Sequence, residues 1–239
     1  MPKFFIRIIL FALFILPLPN GNASSRLEEA RRSADAPLRR LFTKNGLSYP
    51  PKCLFIRVFK AENVLELWAS DNPKTPYRLL KTYDVCSMSG VLGPKHRQGD
   101  EQVPEGFYRI SQFNPYSAFY LSLKVSYPNA ADQQLNPKGN WGGDIYIHGN
   151  CVSIGCVAIT DPAIKELFWA NYQVQKKQIP VHIFPTRLSN FKTNILEILY
   201  EGDPELLQFW KNMQKGYQLF ENTHIPPEYT KVENGKYIF

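Results

Sequence analysis

From Cys53 to Phe184, Gly, Pro and Asn residues cut the chain into short β-prone runs, and nothing else in it constrains the fold as much. Residues 54–59 and 64–68, with Asn63 as a turn residue between them, read as a hairpin. Residues 77–85 read as a further strand, residues 107–110 open another, and residues 120–127 alternate well. Short β segments follow at 144–147 and 157–159, with a last strand at 180–184. One helix interrupts them. Thr160-Asp161-Pro162 supplies a capping side chain, read chiefly as Asp161, and a proline in the first turn, and the helix carries Ile164, Leu167 and Phe168 to about Lys177. Many short strands around one helix predict a mainly β domain with helices (α+β), closed as a barrel or packed as a sandwich. Residues 87–102 and 129–143, rich in Gly, Asn and Pro, read as long loops.

The flanks differ. Residues 24–46 are charged and helix-compatible, and Tyr49-Pro50-Pro51 ends them, so 24–52 reads as a helical lead-in to a domain spanning 53–186. Residues 187–239 form a C-terminal helical extension. Ser189 or Asn190 caps a helix to Tyr200. Gly202-Asp203-Pro204-Glu205 then starts another that reaches about Phe220, with Phe209, Trp210, Met213, Tyr217 and Phe220 on its buried stripe beside Leu206 and Leu207. At the other end, Lys3 and Arg7 precede an apolar run at 8–16, and Gly21-Asn22-Ala23 offers small residues for cleavage. This is the pattern of a secretory signal over residues 1–23. The apolar run is shorter than the roughly 20 residues of a membrane span. The expected location is a bacterial periplasm.

The stretch with chemistry in it is His148-Gly149-Asn150-Cys151-Val152-Ser153-Ile154-Gly155-Cys156. A thiol needs a base or a positive neighbour to ionise near neutral pH, and histidine supplies both. Gly155 lets backbone approach a substrate beside Cys156. These residue types suit a Cys156 nucleophile with a His148 base; they also occur in metal sites and in cores. A zinc site from Cys151, Cys156 and His148 lacks CxxC spacing and a fourth ligand. No metal and no cofactor is expected. Ser153 reads as shaping the turn. Lys95, Arg97 and Arg109 are candidate partners for substrate carboxylates, and Tyr146 or Trp141 for the wall of a cleft. His96, His182 and His224 have no partner motif.

The chain has four cysteines, and in an oxidising compartment an even count suggests disulfides. Cys53 with Cys86 is a conceivable pair, joining early strands. A nucleophilic Cys156 must stay a thiol, which leaves Cys151 unpaired or buried, and a Cys151–Cys156 bridge would block the site. The formal net charge of +7 is spread along the chain. It suits an anionic wall polymer or membrane surface, and no nucleic-acid motif accompanies it.

Three pieces together resemble the YkuD-type L,D-transpeptidase family. They are His148-Gly149 at a strand end, Ser153-Ile154-Gly155-Cys156 as the Ser/Thr-x-Gly-Cys signature, and Val103-Pro104-Glu105-Gly106-Phe107-Tyr108-Arg109-Ile110 as the "TPxGxFxI" strand, with Gly99-Asp100 ahead of it. The resemblance covers about residues 54–184. The chain departs from the family in its short gap from His148 to Cys156, in Ile154 where a His is usual, and in Ala158 where an Arg is usual. This compact form is similar to the YafK-like branch, whose members are implicated in cutting the bond between peptidoglycan and an attached outer-membrane lipoprotein.

The resemblance implies attack by Cys156 on the carbonyl at the L-centre of meso-diaminopimelate in a peptidoglycan stem peptide, with His148 protonating the leaving amine. It implies a thioester that passes to water or to an amine, and oxyanion donors from the backbone at Gly155 and Cys156. The Gly149 carbonyl would orient the imidazole. Resemblance to the compact branch favours hydrolysis of the lipoprotein link. Transpeptidation, forming cross-links or attaching proteins, is the alternative, and a non-catalytic wall-binding module is the alternative from another class.

Overall fold

The computed structural model describes residues 23–174 and 178–239. The expected secretory signal therefore lies almost wholly outside the described residues. Strands β1 (Cys53–Phe59), β2 (Val64–Ser70), β3 (Arg78–Ser87), β4 (Gly106–Asn114), β5 (Ser122–Val125), β6 (Tyr146–His148), β7 (Val157–Ile159) and β8 (Pro180–Phe184) close into a barrel. The order around it is β1-β2-β3-β7-β6-β5-β4-β8, with β1/β8 and β6/β7 parallel and the other neighbours antiparallel. The β1–β2 hairpin forms where its alternation predicts, and Asn63 takes φ of 51° at the turn.

β1 is buried along nearly its whole length because it has two covers. Leu54, Ile56 and Val58 face the barrel core, while Phe55 and Phe59 face outward into separate apolar clusters. The outer cover is α5 (Pro204–Thr223), started by Asp203, whose side chain accepts from Leu206 N at 3.0 Å. Phe209, Trp210, Met213 and Tyr217 of α5 pack with Phe59, Phe107 and Phe184 of the barrel wall. Arg57, 1% exposed, is held in this seam. Its guanidinium lies 4.9 Å from the Tyr217 ring centre and 4.5 Å from that of Phe220, and it pairs with Glu221 at 2.8 Å. The shorter α4 (Asn190–Leu199) is capped by Ser189, as expected.

α1 (Ala23–Lys44) sets Ala30, Ala34, Leu38 and Phe42 on one face and packs against α3 (Asp161–Tyr172). Ile164, Leu167 and Phe168 of α3 join the barrel core. α3 ends short of the expected Lys177. The loop expected at 129–143 contains α2 (Ala130–Leu135), closed by a capping box between Asn129 and Asp132. The tail forms a two-stranded ribbon, β9 (Lys231–Glu233) with β10 (Lys236–Ile238).

Candidate active site

Parallel neighbours usually need a crossover of a dozen residues or more. β6 and β7 are each three residues long, so the turn of residues 149–156 is long enough to return the chain to the start of the next strand. Ile147 and Val157 pair in register and point into the core, both 0% exposed. His148, the next residue of β6, turns to the opposite, outer face, and Cys156, the last residue of the turn, stands immediately before β7 and diagonal to His148. Diagonal partners on a sheet face have Cβ atoms roughly 7–8 Å apart, within reach of an imidazole.

His148 is 1% exposed, its ring 4.7 Å from that of Phe119. Its Nδ1 lies 2.6 Å from Gly149 O. A carbonyl can only accept, so Nδ1 carries the proton and Nε2 is left as the basic nitrogen. Burial pulls the His148 pKa down. Cys156 is a free, half-buried thiol. Burial pushes its pKa up and Asp144 adds to that, against a backbone hydrogen bond of Tyr146 and the charge of Lys95. Both shifts favour the uncharged form of each side chain.

Ser153 ties the turn, as its place in the sequence predicts. Its hydroxyl donates to Cys156 O at 2.7 Å and accepts from Cys156 N at 3.0 Å and Gly155 N at 3.3 Å. The N–H groups of Gly155 and Cys156, the expected oxyanion donors, both point to the Ser153 hydroxyl, and that of Gly149 donates to Leu121 O at 3.2 Å. Gly149 is needed for space. A Cβ there would stand 2.5 Å from Asp161 Oδ1 and 3.0 Å from Ile164 Cγ2. Gly155 has φ of +119°, and a Cβ on it would stand 3.4 Å from Gln102 O.

Asp161 also differs from expectation. Thr160 is the residue ahead of α3, and the Asp161 carboxylate accepts Asn150 N at 2.8 Å, fastening the turn to the helix start. The disulfide joins Cys86 to Cys151, with Cα atoms 5.4 Å apart. Cys53 pairs with Ser70 at one end of β2, while Asp84 pairs with Val64 at the other, so Cys53 and Cys86 lie at opposite ends of the sheet, beyond bridging distance. Cys86 Sγ instead lies over the β7 backbone, 3.5 Å from Ala158 O, where Cys151 reaches it from the turn. The bridge removes Cys151 from any zinc triad with Cys156 and His148. Among the described residues no group of three or more His, Cys, Asp or Glu side chains is arranged to hold a metal.

Residues 88–105 wall the turn on one side. Lys95 is buried there, ion-paired with Asp100 and donating to Arg97 O at 3.0 Å, while Arg97 is exposed. Arg109 is on β4, bonded to Gln178 Oε1 at 2.6 Å, away from the turn. His182 is buried between the rings of Phe55 and Phe107 on the far wall, and His224 stacks on Trp68. The Tyr146 hydroxyl meets Asp144 at 3.1 Å, and the Trp141 indole donates to Asn136 O at 2.9 Å. Phe119 and Gln102 have no motif to announce them; they reach the site only through strand order.

The family of L,D-transpeptidase catalytic domains designated YkuD matches residues 55–183. YafK of Escherichia coli (strain K12), whose own naming as an L,D-transpeptidase is provisional, is 34% identical over 211 residues, covering 86% of this chain and 80% of its own. Among solved structures, the helical cell shape determining protein Pgp2 from Campylobacter jejuni aligns with a TM-score of 0.47 at 18% identity, over 72% of this chain and 71% of that one. Bd1075 of Bdellovibrio bacteriovorus aligns with a TM-score of 0.41 at 17% identity, over 78% and 79% of the two chains.

Proposed function

Since the chain belongs to the YkuD family of L,D-transpeptidase catalytic domains, we propose that it transfers acyl groups of peptidoglycan stem peptides through Cys156, with His148 as base. The observation that carries this is that His148 ends β6 and Cys156 immediately precedes its paired neighbour β7, with the imidazole held by Gly149 O. In this reading Cys156 Sγ attacks the carbonyl carbon at the L-centre of diaminopimelate while His148 Nε2 takes the thiol proton. The amide C–N bond breaks, and His148 returns that proton to the leaving amine. A thioester on Cys156 remains. An acceptor amine then attacks it, gives up a proton to His148, and regenerates the thiol as a new amide forms.

The relatives' names speak for an amine acceptor, so transfer is the reading adopted over the hydrolysis that the sequence favoured. A second reading, hydrolytic release of a lipoprotein joined to peptidoglycan, draws on Val152 and Ile154. These apolar residues of the turn are 48% and 80% exposed and suit a protein-bearing substrate. Export to the periplasm rests on the sequence of residues 1–23; cell fractionation tests it. For the chemistry, purified protein is incubated with sacculi and the released muropeptides are mass-analysed beside Cys156→Ala. New cross-linked dimers support transfer, and freed tripeptides or lipoprotein support hydrolysis. Identical products from the two proteins reject the assignment.

A further inference from the structure

The C-terminal helix α5 lies on the outer wall of the barrel, yet one of its side chains is wired to the loop that backs the reactive turn. Trp210 Nε1 donates to Glu105 Oε2 at 2.7 Å. The other oxygen of that carboxylate accepts Gly93 N at 2.7 Å and faces Lys60 Nζ at 2.9 Å. Glu105 is 0% exposed and Lys60 7% exposed. The Lys60 ammonium also donates to Gly93 O and Val103 O, each at 3.0 Å, so its three donors and both carboxylate oxygens are all satisfied. A buried ion pair closed on every side in this way holds one geometry, because any displacement leaves a charge unpaired.

From Gly93 the connection runs on to the reactive turn. Gly93 O accepts Gln102 Nε2 at 2.8 Å, and the same side chain bonds Val91 N at 2.8 Å and Val91 O. The main-chain carbonyl of Gln102 abuts Gly155, the residue before Cys156, closely enough that a Cβ there would stand 3.4 Å away. Ser89, in the same loop, sets its hydroxyl 3.5 Å from that of Ser153, which binds Cys156 at both N and O. Trp210 lies beyond residues 55–183, so this chain adds the far end of the relay to the family's catalytic segment.

We propose that Glu105, clamped by Trp210 and Lys60, is a positioning residue that holds the 88–105 loop against Gly155 and thereby sets Cys156 for attack. The helical extension is then part of the machinery of the site. The proposal rests on Cys156 being the nucleophile.

Trp210→Phe in the full chain tests it, since the ring is kept and the donor to Glu105 is lost. Two quantities are read: the rate of Cys156 alkylation by iodoacetamide in the folded protein, and kcat and KM on muropeptides. The expected result is a change in alkylation rate and a kcat lower by about tenfold to a hundredfold with KM little moved, the scale of a reacting group displaced by about 1 Å. A lower melting temperature with alkylation rate and kcat both unchanged would overturn the proposal, because a merely structural contact predicts that outcome. Should Trp210→Phe not accumulate as folded protein, Gln102→Asn, which shortens the relay on its other side, carries the same test. Alkylation is measured whether or not sacculi are a substrate. An altered rate alongside an inactive wild type would therefore uphold the positioning and sink the enzymatic reading instead.

Discussion

Replacing Cys86 and Cys151 together with alanine removes the bridge that pins the reactive turn to β3. The cysteines are 65 residues apart in sequence, and closing a loop of that length removes about 4 kcal/mol of denatured-state entropy at 25 °C. Each kcal/mol moves the melting temperature of a domain this size by about 2–4 °C, so the double variant should melt about 8–16 °C below the oxidised protein. The experiment is run in a Cys53→Ser, Cys156→Ser background, so that no thiol outside the bridge can exchange during heating. Wild-type bridge reduced with a dithiol should melt with the double variant, since both lack the same constraint. The local effect should exceed the global one at Asn150–Ser153, where Ser153 and the Asp161–Asn150 bond alone would hold the turn. A melting shift under about 2 °C would refute the reasoning. So would peptide mapping that finds Cys151 joined to any partner other than Cys86.

Gly149→Ala forces a methyl against Asp161 Oδ1 and Ile164 Cγ2 and should lower stability by about 1–3 kcal/mol; a denaturation midpoint equal to wild type would count against the packing described. Because burial raises the Cys156 pKa and lowers that of His148, iodoacetamide should react with Cys156 faster as pH rises past 9, the ordinary thiol value, with no plateau near neutrality. His148→Ala should leave that profile nearly in place while cutting acyl transfer by roughly 10²–10⁴-fold; a neutral-pH plateau lost in the variant would mean that a thiolate–imidazolium pair exists at rest. Burial raises the Asp132 pKa from 3.8 to about 7. The folded state therefore holds the proton more tightly than the unfolded one, and stability should fall as pH rises from 3.8 to about 7, then level off. Urea midpoints should lose that slope in Asp132→Asn, and an unchanged slope would exclude Asp132 as its source.

Signals confined to neighbouring residues were legible in the sequence. Asn63 marks a hairpin turn, Ser189 a helix cap, and the spacing of Phe209, Trp210, Met213, Tyr217 and Phe220 a buried stripe, because each depends on side chains a few positions apart. His148 and Cys156 were legible for the same reason, both belonging to one short segment. What escaped depends on distant pairing. Cys86 meets Cys151 only because β3 and β7 are neighbours in the barrel, and Cys53 is excluded because the register of β1, β2 and β3 sets it at the far end of the sheet. The donors taken by Ser153 are set by the path of a tight turn, which residue types do not specify. α2 was hidden in a loop-like composition even though Asn129 and Asp132 carry its capping box. β9 and β10, at three residues each, are too short for alternation to register.

β1 has an apolar cover on each side, and the outer one comes from residues made about 150 positions later. A ribosome that has just released the barrel's eighth strand has produced a wall with Phe55, Phe59, Phe107 and Phe184 still wet. Trimming the chain after Phe184 to obtain a minimal enzyme would freeze it in that sticky, half-dressed state. Attempts at such truncation should yield inclusion bodies rather than a smaller catalyst.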